Sequence, residues 1–566
     1  MTRCQVLAGI LCLSLMPAAA LAAQAQSHAH EIETLQSQYL STDDPEQRKQ
    51  LVSALKALAK TCHTEDAGAL NEAVSTMLPA TDSTWEAGEL LAIGAANPAR
   101  PLTAAPNAAK DSEFLVDARQ AAQEAGTPNG EVETLADIRI DRLQKDSLGR
   151  DGLASAHVQQ VWRINTAAAA RSFSPRSVMY SGMSETLSVV RARVLKSNGR
   201  EEQGSVSADQ PVMKQGAAMY FDARARQLRF SRLQPGDVVE IEYRLLPSTE
   251  ANPWTGYYAR LDPFRDSLPT RLRRRVLVAP SSMKLYAVEH GLSPAAVREN
   301  GGETTRTWEA REIGAQPMGA SVDGPYLHVS TIGSQEEFGR WYNQMLEPEL
   351  QLDESLHAVA EQILDRKLTT QGKVQAVYEN VKRRTRYTGF EFGVHSYQPY
   401  PVSIVERRGF GDCKDKAAML VALLRAVGVP AEFAMVRTRS AGAVDEDAYS
   451  VQLFDHAMAY IPELNIFVDG TANSETIGKL PTNDLGAMVM TVDALGKATR
   501  RTVPFTSPLE IRTPREMDVA HVFDGERHAT ADRAKIAQAV GESGAAASRD
   551  GALQVETLMA ASHLKQ

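Results

Sequence analysis

A chain of 566 residues is too long for one hydrophobic core and implies several domains. Its 23% charged and 43% hydrophobic residues are those of ordinary globular protein, and a net charge of -9 without a sustained lysine or arginine run excludes a nucleic-acid binder.

Residues 1–22 have the form of a signal peptide. Arg3 supplies the positive charge, Val6 to Leu15 is mostly apolar, and Ala20-Leu21-Ala22 suits cleavage. That stretch is too short to span a bilayer, and no later stretch reaches the needed length without charges. The mature chain is therefore expected to lack a membrane span and to be periplasmic or secreted. Of four cysteines, Cys4 and Cys12 would leave with the leader; Cys62 and Cys413 remain, too few for a disulfide framework.

A helical segment and linker are expected over 28–125. Ile32, Leu35 and Tyr39 share one helical face, as do Leu51, Leu55 and Leu58, and Cys62 closes the second helix as a small buried hydrophobe. Residues 94–110, with three prolines, read as a linker. Over 130–345 the pattern turns to strands and predicts a β-sandwich. Val190, Ala192 and Val194 alternate with Arg191 and Arg193 ahead of an Asn198-Gly199 turn. Val239, Ile241 and Tyr243 alternate with Glu240, Glu242 and Arg244 as a half-buried strand. Arg271, Arg273, Arg274 and Arg275 precede the apolar run from Val276 and read as a solvated strand end.

Helical periodicity returns near 350, in Leu356, Val359 and Ile363, then in Val374, Val377 and Val381. An α+β core is predicted over 350–480. Its main helix runs from Cys413 to Val427, between Gly411-Asp412 and Gly428, and short strands follow at Glu432–Val436, His456–Ile461 and Ile466–Asp469. Residues 481–566 form a weaker β segment, with a hairpin turn at Asp524-Gly525.

Cys413 falls in the first turn of its helix, where free N–H groups and the helix dipole favour a thiolate. Lys414 and Lys416 add positive charge. His456 opens one strand and Asp469 closes the next, so a tight turn at Pro462 to Asn465 would set imidazole and carboxylate side by side. Taken singly, each residue has an ordinary structural explanation: a packing cysteine, a structural histidine, a turn aspartate. Taken together, in this order and on these elements, they describe a cysteine nucleophile, a base and its orienting carboxylate. His395 competes for the base but sits in a glycine-flanked loop without a carboxylate partner. No metal motif and no cofactor motif occurs; Asp445-Glu446-Asp447 lacks calcium-loop spacing.

GDCKDKAAML, FDHAMAYI and FVDGT resemble the core of the transglutaminase-like superfamily, and YTGFEFGVHSYQP resembles the segment before the nucleophile in its bacterial members. The β region from VWRINT through LQPGDVVEIEYR resembles DUF3857, a domain of unknown function that precedes this core in exported proteins. The resemblance implies a multidomain α+β protein with a papain/transglutaminase-like core. It implies Cys413 as nucleophile, His456 as histidine and Asp469 as aspartate of a catalytic triad. It also implies a trailing β domain, resembled from FDGERHATADRAKIAQAVGESGAAASR onward and expected to be incomplete. The expected activity is acyl transfer or hydrolysis on a peptide or protein substrate. Oxyanion donors would be the Cys413 N–H and a group of the upstream loop, Gln398 or Tyr387, each of which could equally staple the loop. The competing reading is a catalytically silent module that binds protein or cell-wall partners.

Overall fold

A computed structural model describes residues 18–61 and 111–505, except 43, 146–149, 183, 208, 213–218, 222, 249–251, 317–323, 392 and 473–476, and single positions between 70 and 93. The leader up to residue 17, Cys62, the 94–110 linker and everything beyond 505, with the Asp524-Gly525 turn, lie outside the described residues.

Helices α1 (Ala18–Ser41) and α2 (Pro45–Ala59) open the fold. Asp44 caps α2 by accepting the Glu46 N–H at 3.0 Å, and Pro45 takes the first helical position, where a missing N–H costs nothing. Ile32, Tyr39, Val52 and Leu55 form the buried side of the pair.

The β region is built on one eight-stranded sheet, in the order Ala296–Asn300, Glu303–Ile313, Thr270–Pro280, Val132–Leu143, Ala154–Ile164, Val238–Pro247, Glu185–Leu195, Glu201–Gln203. Val132–Leu143 and Thr270–Pro280 run parallel; the other neighbours are antiparallel. One face is covered by α3 (Ala118–Glu124) and the residues before it, which pack on Ile138, Ile140 and Val161. Two small sheets cover the opposite face. Arg176–Ser181, Ala223–Arg229 and Ser205–Val206 enclose a core of Trp162, Tyr180, Leu228 and Ile241, to which α4 (Ala167–Ser172) lends Ala169. Ala259–Pro263, Tyr326–Ser330 and Tyr286–His290 close over Leu277, Ala279 and Trp308. The result is a sandwich with one wide layer and one divided layer.

Burial corrects three readings of this region. Val238–Pro247 is not half-buried. It is a central strand, and its Glu240 and Glu242 are 0% and 5% exposed because the chain from Asp111 through α3 lies over them. They pair with Arg191, Arg193 and His157. The arginine cluster is not a solvated end either. Arg273 and Arg275 lie in mid-strand and converge on Asp137, each 3.0 Å from its Oδ2, while Arg271 pairs with Glu133 at 2.8 Å. Val190 leaves the expected buried face. The ladder steps from Glu242–Arg191 to Tyr243–Val189, a bulge that turns Val190 outward.

The second half is a five-stranded antiparallel sheet, ordered Ile466–Val468, His456–Ile461, Glu432–Arg437, Met488–Val492, Ala498–Thr502. It runs past the expected end at 480, because Met488–Val492 buries its apolar side chains against Glu432–Arg437. Helices α5 (Gln335–Leu346), α6 (Glu354–Asp365), α7 (Thr370–Arg384), α8 (Val402–Arg408) and α9 (Cys413–Ala426) complete this half. α5 belongs here rather than to the sandwich: Gln335 Nε2 donates to Ala498 O at 2.9 Å, and Gly339 lies against Gly496 and Ala498.

The halves meet along a bonded seam. Met219–Phe221 pairs in parallel with Gly389–Glu391, the Asp445 N–H donates to Tyr326 Oη at 2.7 Å, and His328 Nε2 lies 2.9 Å from Ser450 Oγ. Trp254 and Tyr257 from the β region meet Trp341 of α5 and Tyr397 of the loop before α8; Tyr257 and Trp341 stack at 4.2 Å.

Candidate active site

Helix α9 begins at Cys413 because Asp412 caps it. The Asp412 carboxylate accepts from the Lys414 and Asp415 N–H groups at 3.1 and 3.2 Å, and Asp415 returns the contact by accepting the Asp412 N–H at 3.2 Å. Asp415 also accepts the Tyr400 N–H at 2.9 Å and Arg408 Nη2 at 2.7 Å. One buried carboxylate thus ties the helix start to α8 and to the loop before it. Ala417, Leu420, Val421 and Leu424 are buried along the helix and hold it in the core. Cys413 is a free thiol, partly exposed at the head of this rigid element.

His456 is the first residue of its strand, opposite Val436. The turn from Pro462 closes on Asn465 in the left-handed region, at φ 52°, and returns the chain so that Ala459 faces Val468. Asp469 follows directly. Its Oδ1 accepts the Thr471 N–H at 2.7 Å and the Thr471 hydroxyl at 2.8 Å, which fixes the carboxylate. Its Oδ2 lies 3.3 Å from His456 Nε2, an ion-pair distance at the loose edge of hydrogen bonding, as is common before substrate binds. With Nε2 on Asp469, Nδ1 is the nitrogen left for the Cys413 thiol, with which the imidazole is hydrogen-bonded.

Burial alone pushes His456 down; the bonds and charges of Asp469 and Cys413 outweigh it and hold the imidazole well above the ordinary histidine value. Burial likewise pushes Asp469 up, but His456 and Thr471 prevail and hold it below the usual carboxylate range. The arrangement favours a protonated imidazole between two anionic partners.

The other expected residues divide. Tyr387 is at the site. Arg386–Tyr387 pairs with Phe410–Gly411 just ahead of the nucleophile, and the Tyr387 side chain lies within the charge field of Cys413 and Asp412. Gln398 is not. Its amide donates to Glu349 Oε1 at 2.7 Å and Met345 O at 3.3 Å, so it staples the loop to the end of α5. His395 is a packing residue, stacked on Tyr400 at 3.6 Å with Nδ1 on Gln398 O, and burial brings it down to about 3. The two lysines do not serve the thiol directly: Lys414 Nζ pairs with Asp412, and Lys416 Nζ donates to Thr385 O at 2.6 Å.

Two further residues border the site without any signal in the sequence. Tyr342 of α5 lies within the charge field of Cys413 and donates to Tyr397 O at 3.1 Å. Asp484 is buried beside His456 and Asp469. It lies in a stretch without periodicity, where an aspartate reads as a turn residue.

With this geometry in view, comparison with known proteins defines the class. Residues 150–317 match DUF3857, a domain of unknown function with a solved structure, and residues 357–461 match the transglutaminase-like superfamily. The chain carries a transglutaminase-like domain behind a DUF3857 domain, in the expected order. A candidate protease from Parabacteroides distasonis superposes with a TM-score of 0.54 at 14% identity, over 67% of this chain and 73% of its own. At that identity the likeness speaks for the fold. A candidate cysteine protease from Cytophaga hutchinsonii reaches a TM-score of 0.17 at 11% identity, over 62% of this chain and 80% of its own. An M1 zinc metallopeptidase from Deinococcus radiodurans reaches 0.21 at 14% identity, over 35% of this chain and 42% of its own. Neither of these two bears on the argument. No curated protein sequence matches the chain.

Proposed function

We propose that the chain is an exported cysteine acyl-transfer enzyme acting on peptide or protein amides, with Cys413 as nucleophile, His456 as acid and base, and Asp469 as the orienting carboxylate. The observation that carries the proposal is one imidazole bonded to the Cys413 thiol and paired through Nε2 with a carboxylate fixed by Thr471. Export rests on the leader at the N-terminus.

The chemistry follows from these positions. The resting pair is thiolate and imidazolium. The thiolate attacks the amide carbonyl, and the oxyanion is received by the Cys413 N–H at the head of α9 and the Tyr387 hydroxyl. Imidazolium gives its proton to the leaving amine, the C–N bond breaks, and a thioester remains on Cys413. A second nucleophile then loses its proton to the imidazole and attacks the thioester, and the thiolate departs. Water as that nucleophile makes the enzyme a protease or amidase; a lysine-type amine makes it a transglutaminase.

The test is intact-mass spectrometry of the chain mixed with a peptide pool, with and without an amine donor. An acyl adduct on Cys413, absent in Cys413→Ala and strongly reduced in His456→Ala, is expected. No adduct, or one that survives His456→Ala unchanged, would return the site to a silent binding module.

A further inference from the structure

We propose that His456, Asp469 and Asp484 form a binding site for a divalent transition ion of the zinc type, and that its occupancy switches the histidine off. One ligand atom from each residue falls in a group whose members all lie within 4.8 Å of one another. Zinc holds nitrogen and oxygen ligands at about 2.0–2.2 Å, which sets tetrahedral ligands about 3.3–3.5 Å apart. Small side-chain rotations therefore close the group onto an ion. An imidazole with two carboxylates is a donor set such ions accept.

A second observation separates this group from a chance gathering of acids. Asp484 is 3% exposed and Asp469 2% exposed, and Oδ2 of each makes no hydrogen bond among the described residues. Two buried carboxylate oxygens left in this way are expensive unless something cationic meets them. Among the charged groups acting on Asp484, His456 is the one cation, whereas Asp469 and Asp455 add negative charge. Lys416 acts on Asp469 but has its ammonium on Thr385 O.

An ion at this place takes the Nε2 lone pair of His456 and the Asp469 oxygen that now faces it. The metal-bound ring cannot then carry a second proton at Nε2, so the imidazolium needed to protonate the leaving amine does not form. Asp484 is the ligand that the acyl-transfer chemistry does not use. The inference rests on the proposed catalytic role only for its consequence; the site itself is tested by binding.

The experiment is a chelator-competition titration of the full chain with Zn²⁺, repeated with Co²⁺ for its visible spectrum. One ion per chain is expected. Asp484→Asn should weaken binding at least about tenfold, the loss that even an outer-shell change brings. Cys413→Ser should bind Zn²⁺ within a few-fold of the parent, and the cobalt complex should show visible bands without intense near-ultraviolet thiolate absorption. If Asp484→Asn is unfolded by circular dichroism, the cobalt spectrum of the unmodified chain decides. No bound ion, unchanged affinity in Asp484→Asn, or binding abolished in Cys413→Ser would each overturn the proposal; the last would put the ion on sulfur and imidazole. Acyl-adduct formation in metal-free buffer is scored separately, so failure of the ion site leaves the enzyme reading standing, and the reverse.

Discussion

Replacing Asp415 with alanine tests whether one buried carboxylate seats the catalytic helix. Arg408 and Asp415 side chains are both 0% exposed and joined at 2.7 Å. Stranding a buried arginine by removing its partner costs about 3–5 kcal/mol. The Tyr400 and Asp412 N–H groups lose the same acceptor inside the core, adding about 1 kcal/mol each at least. The sum, about 5–7 kcal/mol, rivals the whole stability of an ordinary domain. Urea denaturation followed by circular dichroism measures it. Arg408→Met in the same chain supplies the control: it removes the stranded charge, and about 3–5 kcal/mol should return. A loss below about 1 kcal/mol in Asp415→Ala, or a double variant no more stable than the single, would refute the reasoning.

Other consequences can be checked as directly. Asp469→Asn keeps the shape of the orienting residue but not its charge, and acylation of Cys413 should slow about 10²–10⁴-fold in stopped-flow assays; a change under threefold would contradict its role. His157 bridges Asp111 at 3.0 Å and Glu242 at 2.9 Å, clamping the chain before α3 to the wide sheet. Burial lowers His157, but the two carboxylates win and raise it, so its contribution is full below about pH 6.5 and is lost as pH rises through its folded value. Asp111 and Glu242 are held low against burial, so theirs is lost only in acid, below about pH 4. Amide exchange over 111–124, corrected for intrinsic rates, should therefore be slowest near about pH 5–6 and faster at about pH 9; a flat profile would remove the clamp. Gly339→Ala places a methyl 2.4 Å from Gly496 O and 2.7 Å from Ala498 N, backbone atoms that cannot step aside cheaply. It should lower stability by about 1–3 kcal/mol in the same urea assay, and an unchanged midpoint would count against this packing.

What the sequence disclosed, and what it hid, follows from where information is local. The helix from Cys413 was readable because its cap, its apolar stripe and its Gly428 terminator sit within one short stretch. The strands bearing His456 and preceding Asp469 were readable for the same reason, and their turn brings the two residues into contact. Charge proved a poor guide to exposure. Glu240, Glu242, Arg273 and Arg275 look like surface residues, yet partners from distant strands and a covering segment take them inside. Gln398 has the chemistry of an oxyanion donor, but only the position of Glu349 decides where its amide points. Asp484 reaches the histidine through a loop with no period at all, so nothing short of the fold could find it.

The parallel pairing of Met219–Phe221 with Gly389–Glu391 has a bearing on how such a protein can be cut or recombined. A fragment beginning near residue 330 would keep Cys413, His456 and Asp469 but bare the Gly389–Glu391 edge to self-association. It would also strip Trp254 and Tyr257 from the rings of Trp341 and Tyr397. The natural unit for inheritance and for engineering is thus the tandem, and a domain boundary drawn from family matches alone would fall across a shared strand.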